Sequence, residues 1–279
     1  MALTDGPSLP GVHDARREGR RAASSPGMGW LARAGLIARG VVYAVIGVLA
    51  LKLALGDGGK ATNQQGALKT IAHGSFGKLL LIVVAIGLAG YAIWRLTRAA
   101  VGHGAEQTDD TSDRVAALAS GVAYAILCVT AIKILSGSAT GSGTPKHATS
   151  GVLGWSGGTV IVGIAGAVLV GVAGYQLYKG LAQKFLDDAN TGQMSPGVRK
   201  GYTVLGVAGH CARAVVFALI GYGLIKAAID YNAKKAIGLD GALRNLAHAS
   251  YGPVLLGIVA LGLVMFAAYS LADARYRKV

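Results

Sequence analysis

Arg39 and Lys52 stand inside LIARGVVYAVIGVLALKLAL (residues 36–55), a run that otherwise reads as apolar helix and holds no acidic residue to pair with them. A cation in that setting has two kinds of chemistry open to it. Its aliphatic stem can stay in hydrocarbon while the charged head reaches headgroups or water, or the head can hold an anion that no carboxylate neutralises. The stretch recurs without internal gaps as ALASGVAYAILCVTAIKILS (117–136) and HCARAVVFALIGYGLIKAAI (210–229). Lys52, Lys133 and Lys226 then correspond, as do Tyr43, Tyr124 and Phe217, whereas Arg39 and Arg213 are matched by Ser120 in the middle copy.

Thirteen residues turn a helix so that its two ends differ by about 140° in direction, so Arg39 and Lys52 do not line one path. Arg39 and Tyr43, four apart, share a face on which the ring can shield the guanidinium. The simplest expectation is that Arg39 and Arg213 snorkel to the cytoplasmic face and the three lysines to the outer one. The functional expectation is an anion or lipid-headgroup site with Lys52, Lys133, Lys226, Arg39 and Arg213 as its contacts.

Other chemistry finds few parts. His73 and His248 occupy equivalent places just outside predicted spans, and His147 can join them, yet no Cys or carboxylate stands at ligand spacing for a metal. Their short segments read as interfacial amphipathic turns, with Leu68, Ile71 and Ala72 toward lipid and Lys69 toward water. No acidic or histidine pair sits in the middle of a span, and Ser120 and Thr130 lack a base on their own helix. No phosphate loop or dinucleotide fingerprint occurs. SGSATGSGTP (136–145) reads as a flexible outer connection. His210 is the only histidine within a predicted span and no second span supplies a partner, so a haem held between facing histidines is not expected. The sequence therefore points to no catalytic residue, cofactor or metal. Cys128 and Cys211 fall inside predicted spans and read as small hydrophobes, not as a disulfide.

The elements that must position these cations follow from composition. Of 279 residues, 53% are hydrophobic, 14% are charged and 43 are glycine, which indicates an integral membrane protein. The net charge of +14 does not call for nucleic acid, because the cations cluster in short connections beside apolar segments, where they set topology and meet anionic lipid headgroups. Windows of about twenty residues give six spans: 33–55, 78–98, 115–136, 159–180, 204–230 and 254–273. Residues 1–28, with ARREGRR at 15–21, read as a polar, disordered cytoplasmic arm.

Fifteen Lys and Arg lie in the N-terminal arm, the 99–114 and 181–203 connections, the C-terminus and the adjoining helix ends, against seven in the other connections. That bias places both termini in the cytoplasm. Trp94, Tyr175, Tyr178, Tyr269 and Tyr276 read as an aromatic belt at that interface. Gly163, Ala167 and Gly171 form a ladder of small residues for close helix packing.

The repetition extends beyond one helix. GALKTIAHGSFGKLLLIVVAIGLAGYAIW (66–94) parallels GALRNLAHASYGPVLLGIVALGLVMFAAY (241–269), and GVAGYQLY (171–178) pairs with GLAGYAIW (87–94). The unit is a two-helix hairpin used three times, and an even number of spans per unit keeps every copy in one orientation. The expected fold is an all-α membrane protein: six transmembrane helices as three parallel two-helix repeats, in a pseudo-threefold arrangement about the membrane normal. The repeats fall at 29–103, 114–186 and 201–279. The middle one departs at Ser120 and around GWSGGTV, where its second helix begins irregularly.

Three such units, with ARGVVYAVIGVLAL and GALKTIAHGSFGKLLL leading into GLAGYAIW, resemble the domain-of-unknown-function 1206 family of bacterial membrane proteins. The resemblance implies a multi-pass protein of the bacterial cytoplasmic (inner) membrane and brings no activity with it. The expected function is non-enzymatic: an interaction or accessory subunit of a larger membrane complex, with the lipid bilayer, anionic headgroups and protein partners as its contacts and no nucleic acid. The alternative is a channel, transporter or binding protein for a small solute, an anion or a lipid headgroup.

Overall fold

The computed structural model describes residues 26–101, 111–138 and 145–278, and within them every regular element is helical. Each repeat runs long helix, short helix, long helix: α1 (Pro26–Ala54), α2 (Gln64–Ala72) and α3 (Gly77–Val101); α4 (Thr111–Leu135), α5 (Pro145–Leu153) and α6 (Gly158–Leu181); α7 (Pro196–Ile229), α8 (Leu239–Ala247) and α9 (Gly252–Tyr276). The six long helices are each apolar and long enough to cross a membrane. Residues 1–25 of the expected arm lie outside the described residues, and α1 already begins at Pro26.

Helix α7 starts at Pro196, well before the expected 204. Ser195 caps it, its side chain accepting from the Val198 amide at 3.4 Å, and Pro196 takes the first helical position, where its missing N–H costs nothing. At 34 residues the helix is about 50 Å long, so its first turns project past a ~30 Å hydrocarbon layer.

Two of the short helices, α2 and α8, turn their apolar sides into the bundle. Leu68 and Ile71 of α2 are buried against the bundle, as are Ala242 and Leu243 of α8. This corrects the lipid-facing reading: nine residues are too few to hold a helix without tertiary packing, and the packing takes their apolar side. Asn63, the cap of α2, also donates to Asp240 in the first turn of α8 at 3.4 Å and ties these two short helices together.

The second long helix of every repeat begins with the same tight turn. A Cβ on Gly77, Gly158 or Gly252 would collide with the carbonyl oxygen of Ala72, Val152 or Ala247 respectively. The middle repeat, expected to be irregular around GWSGGTV, builds its turn on Gly158 as the others do on Gly77 and Gly252.

Contacts between repeats recur three times. A Cβ on Gly47 of α1 would stand 3.1 Å from the Ala260 carbonyl oxygen of α9; the Cys128 thiol of α4 donates to the Ala85 carbonyl of α3 at 3.6 Å; a Cβ on Gly221 of α7 would stand 2.8 Å from the Gly166 carbonyl oxygen of α6. Ala85, Gly166 and Ala260 are thus equivalent. This register pairs Gly90 with Gly171 and Trp94 with Tyr175, three residues away from the pairing of 171–178 with 87–94 that the glycine spacing suggested.

Contacts within repeats do not recur three times. In repeat 1, α1 packs on α3, where a Cβ on Gly87 would stand 2.7 Å from the Ala34 carbonyl oxygen and 2.9 Å from the Ala38 Cβ. In repeat 3, α7 packs on α9, with Gly262 against Ala208 and Ala212. In repeat 2, α4 and α6 make no extended contact among the described residues. The equivalent positions explain it: Val168 stands where the others have Gly87 and Gly262, and Val115 where they have Ala34 and Ala208. Two branched side chains cannot enter a space sized for a hydrogen and a methyl. The extended contacts therefore link the six spans in the order α4–α3–α1–α9–α7–α6 and leave a seam between α4 and α6 among the described residues, so they do not confirm the pseudo-threefold arrangement. In their most apolar stretches only 11% and 22% of these two helices is buried, against 50–56% for α1, α3 and α9.

The expected aromatic belt is divided by the same asymmetry. Trp94 and Tyr269 are buried in protein contacts, whereas their equivalent Tyr175 is 55% exposed, like Tyr178 beside it.

Candidate functional site

Arg39 does not snorkel. Its side chain is buried, its Nε donates to Ser270 Oγ at 3.1 Å, and its Nη2 lies 3.4 Å from Asp273 Oδ2. Asp273 is fully buried and also accepts from the Tyr202 hydroxyl at 2.9 Å and from Arg277 Nη1 at 2.9 Å. The Arg39 guanidinium lies over the Phe266 and Tyr91 rings, 5.1 and 5.9 Å from their centroids. The partner for the cation in the opening stretch sits 234 positions away, on the last span. Nothing local signals that pairing.

The equivalent position at the α6/α7 contact is Arg213, and its surroundings differ in sign. Gln176 stands where Ser270 stands, and Lys179 where Asp273 stands. In the amide orientation that satisfies both ends of Gln176, its oxygen accepts from Arg213 Nη1 at 2.9 Å and Nη2 at 3.3 Å. The guanidinium lies 4.5 Å from the Phe266 centroid, 5.2 Å from Phe217 and 5.7 Å from Tyr43. Its Nε is buried with no hydrogen-bond partner, and among the described residues no carboxylate pairs with it. Among the described residues Arg39 is thus neutralised and Arg213 is not. At the third equivalent place, α3 against α4, the set is Ser120, Arg95 and Arg98, and Arg95 binds the Tyr91 hydroxyl at 3.1–3.2 Å.

The connection after α6 closes this end of the bundle. Phe185 is fully buried between Tyr202, Tyr269 and His210, and stacks on the His210 ring at 5.2 Å. His210 itself is buried, with Nδ1 2.7 Å from the Gly206 carbonyl. Asp188 joins Lys179 at 2.9 Å and Arg277 at 3.3 Å, while the Lys278 amide donates to the Asp188 carbonyl and the Asn190 amide to the Tyr276 carbonyl. Burial alone would push the Asp188 carboxyl up, but Arg277 and Lys179 hold it well below the usual carboxylate range. A depressed carboxyl contributes stability that is complete above its unfolded value of about 4 and is lost as pH falls through the lower folded value. Hydrogen exchange of residues 184–195 is therefore expected to stay slow down to about pH 4 and to quicken only below it. Asp188→Asn should raise exchange there at neutral pH by the equivalent of about 1 kcal/mol, discounted for the third of the side chain that meets solvent. Unchanged protection in the variant would remove the clasp from consideration.

The repeated lysines lie elsewhere. Lys52 and Lys133 are exposed at the far ends of α1 and α4, and Lys226 lies 4.0 Å from Asp230, which also pairs with Lys235. Thirteen residues of helix put them about 20 Å from the arginines, so the five expected contacts divide into two layers. His73 and His248 are exposed caps at the C-termini of α2 and α8, while the side chain of His147 lies outside the described residues. The sequence reading missed Asp273, Asp188, Gln176, Lys179, Tyr202 and Arg277. The signal available was the repeat itself: in register, it sets Asp273 against Lys179 and Arg98.

The family described as Domain of Unknown Function (DUF1206) matches residues 34–102, 115–183 and 208–277. An uncharacterized protein of Bacillus subtilis (strain 168), YxxB, is 32% identical over 248 residues, covering 88% of this chain and 90% of its own length. No solved structure matches the chain.

Proposed function

Because the chain belongs to the DUF1206 family, whose name carries no activity, we propose from its geometry that it is a non-enzymatic protein of the bacterial cytoplasmic membrane, termini in the cytoplasm, that works by binding an anionic group at Arg213. One observation carries this reading: Arg39 and Arg213 are repeat equivalents, and the carboxylate that neutralises the first is a lysine at the second. Around the inner end of the bundle Arg39, Arg95, Arg98, Arg213, Arg277 and Lys179 outnumber Asp188 and Asp273, a surplus that favours an anion. The buried, unpaired Arg213 Nε is a donor without an acceptor. Lys52, Lys133 and Lys226, at the other end, are read as contacts for headgroups of the outer leaflet.

Thermal unfolding of the purified protein in detergent with inorganic phosphate as titrant tests this. A ligand held only by the folded state raises stability saturably. The wild-type protein should gain stability, Arg213→Gln should lose most of that gain, and Arg244→Gln on α8 should keep it. A rise shared equally by Arg213→Gln, as general salting would give, overturns the reading.

A second reading, an accessory subunit of a larger membrane complex, is favoured by the poorly covered α4 and α6, whose exposed Val115, Leu118, Val168 and Tyr175 leave apolar area for a partner. Copurification from native membranes with a stoichiometric partner would support it, and isolation of the chain alone would remove its basis.

A further inference from the structure

We infer that the anion is the headgroup of a phospholipid, taken up sideways from the bilayer through the α4/α6 seam, with its phosphate on Arg213 and its acyl chains between the two helices. This rests on the reading that Arg213 holds an anion. Three observations converge on it. First, the positions that face the seam by repeat equivalence are uncovered: Val115 and Ala119 on α4, and Val168, Gly171 and Tyr175 on α6, are all exposed, and a Cβ on Gly171 would meet nothing within 4 Å. The equivalents of Gly171 and Tyr175 in repeat 1, Gly90 and Trp94, are packed against protein.

Second, the bundle leaves out a ring on this side. Tyr91 and Phe266 are fully buried, and their repeat equivalent on α6 is the smaller Val172, more than a third exposed. Third, the 182–195 connection, with Phe185 fully buried in it, covers the end of the bundle at the termini, so the side is the approach with room for acyl chains. A phospholipid entering from the side brings its own apolar chains to cover α4 and α6. The uncompensated cations select an anionic headgroup over a zwitterionic one.

The test is native mass spectrometry of the full chain released from nanodiscs of equal phosphatidylglycerol and phosphatidylcholine, alongside the phosphate titration. Wild-type protein should retain phosphatidylglycerol preferentially. Arg213→Gln should reduce that retention by about tenfold, the scale of one charge-assisted hydrogen bond. Val168→Trp, at an exposed position that tolerates a larger side chain, should reduce it similarly by filling the seam while keeping the phosphate response, which also shows that the variant folds. Undiminished phosphatidylglycerol retention in Val168→Trp overturns entry through the seam. Equal retention of both lipids, with phosphate still protecting the wild type, overturns the lipid assignment and leaves anion binding standing. Failure of both ligands removes the two together, and a copurifying transmembrane protein seated on α4 and α6 in place of lipid overturns the inference.

Discussion

Asp273→Ala is expected to destabilise the bundle by about 3–5 kcal/mol, the cost of removing one partner of a buried ion pair. The Asp273 carboxylate is the acceptor for Arg39, Arg277 and Tyr202 on three different elements, and none of its surface meets solvent. Its removal leaves two guanidiniums and a phenol facing each other in a region that water does not reach, and the remaining Ser270 bond cannot neutralise Arg39. Asp273→Asn keeps the shape and an acceptor for Tyr202 and should cost less than the alanine variant. Denaturant titration in detergent measures both, and a double-mutant cycle with Arg39→Met should return a coupling of at least about 1 kcal/mol. A loss below about 1 kcal/mol for Asp273→Ala would show that the pair is solvated and that Arg39 is free to snorkel after all.

The second large effect contrasts two equivalent positions. Gly87→Val should cost about 1–3 kcal/mol by overpacking, since its Cβ would press on the Ala34 carbonyl, which belongs to backbone and cannot swing aside. The reverse change at the matching place in repeat 2, Val168→Gly, should cost only about 0.5 kcal/mol, the difference in helix propensity at an exposed position. Combined with Val115→Ala it recreates the small-residue pair of the other repeats. Cysteines at 119 and 168 should then cross-link in the Val115→Ala background, with Cys128 and Cys211 changed to serine, and stay reduced with Val115 in place. Equal costs at Gly87 and Val168 would mean that α4 and α6 pack as the other pairs do.

The membrane class and the six spans were legible because hydropathy over twenty residues reports directly on the solvent a helix prefers. The hairpin repeat was legible because ungapped identity needs no structure to be seen. The caps of α7 and the glycine turns were also written locally, in Ser195–Pro196 and in Gly77, Gly158 and Gly252, although the start of α7 was read late and the middle turn was taken for an irregularity. Arg39 shows where local reading stops. Its sequence neighbours offer no counter-ion, and a search limited to one helix can return only snorkelling or an anion, whereas the partner arrives on α9 through packing.

The sequence alone determined that this chain crosses the membrane six times as three copies of one helical unit, because periodicity and hydropathy are properties of segments. Only the tertiary structure decided which copies close and which charges meet. Two valines in place of a glycine and an alanine hold the middle repeat open, and a lysine in place of an aspartate leaves Arg213 uncompensated. Each of those substitutions is small on the page, and each acquires its meaning from what the equivalent position touches on another helix of the bundle.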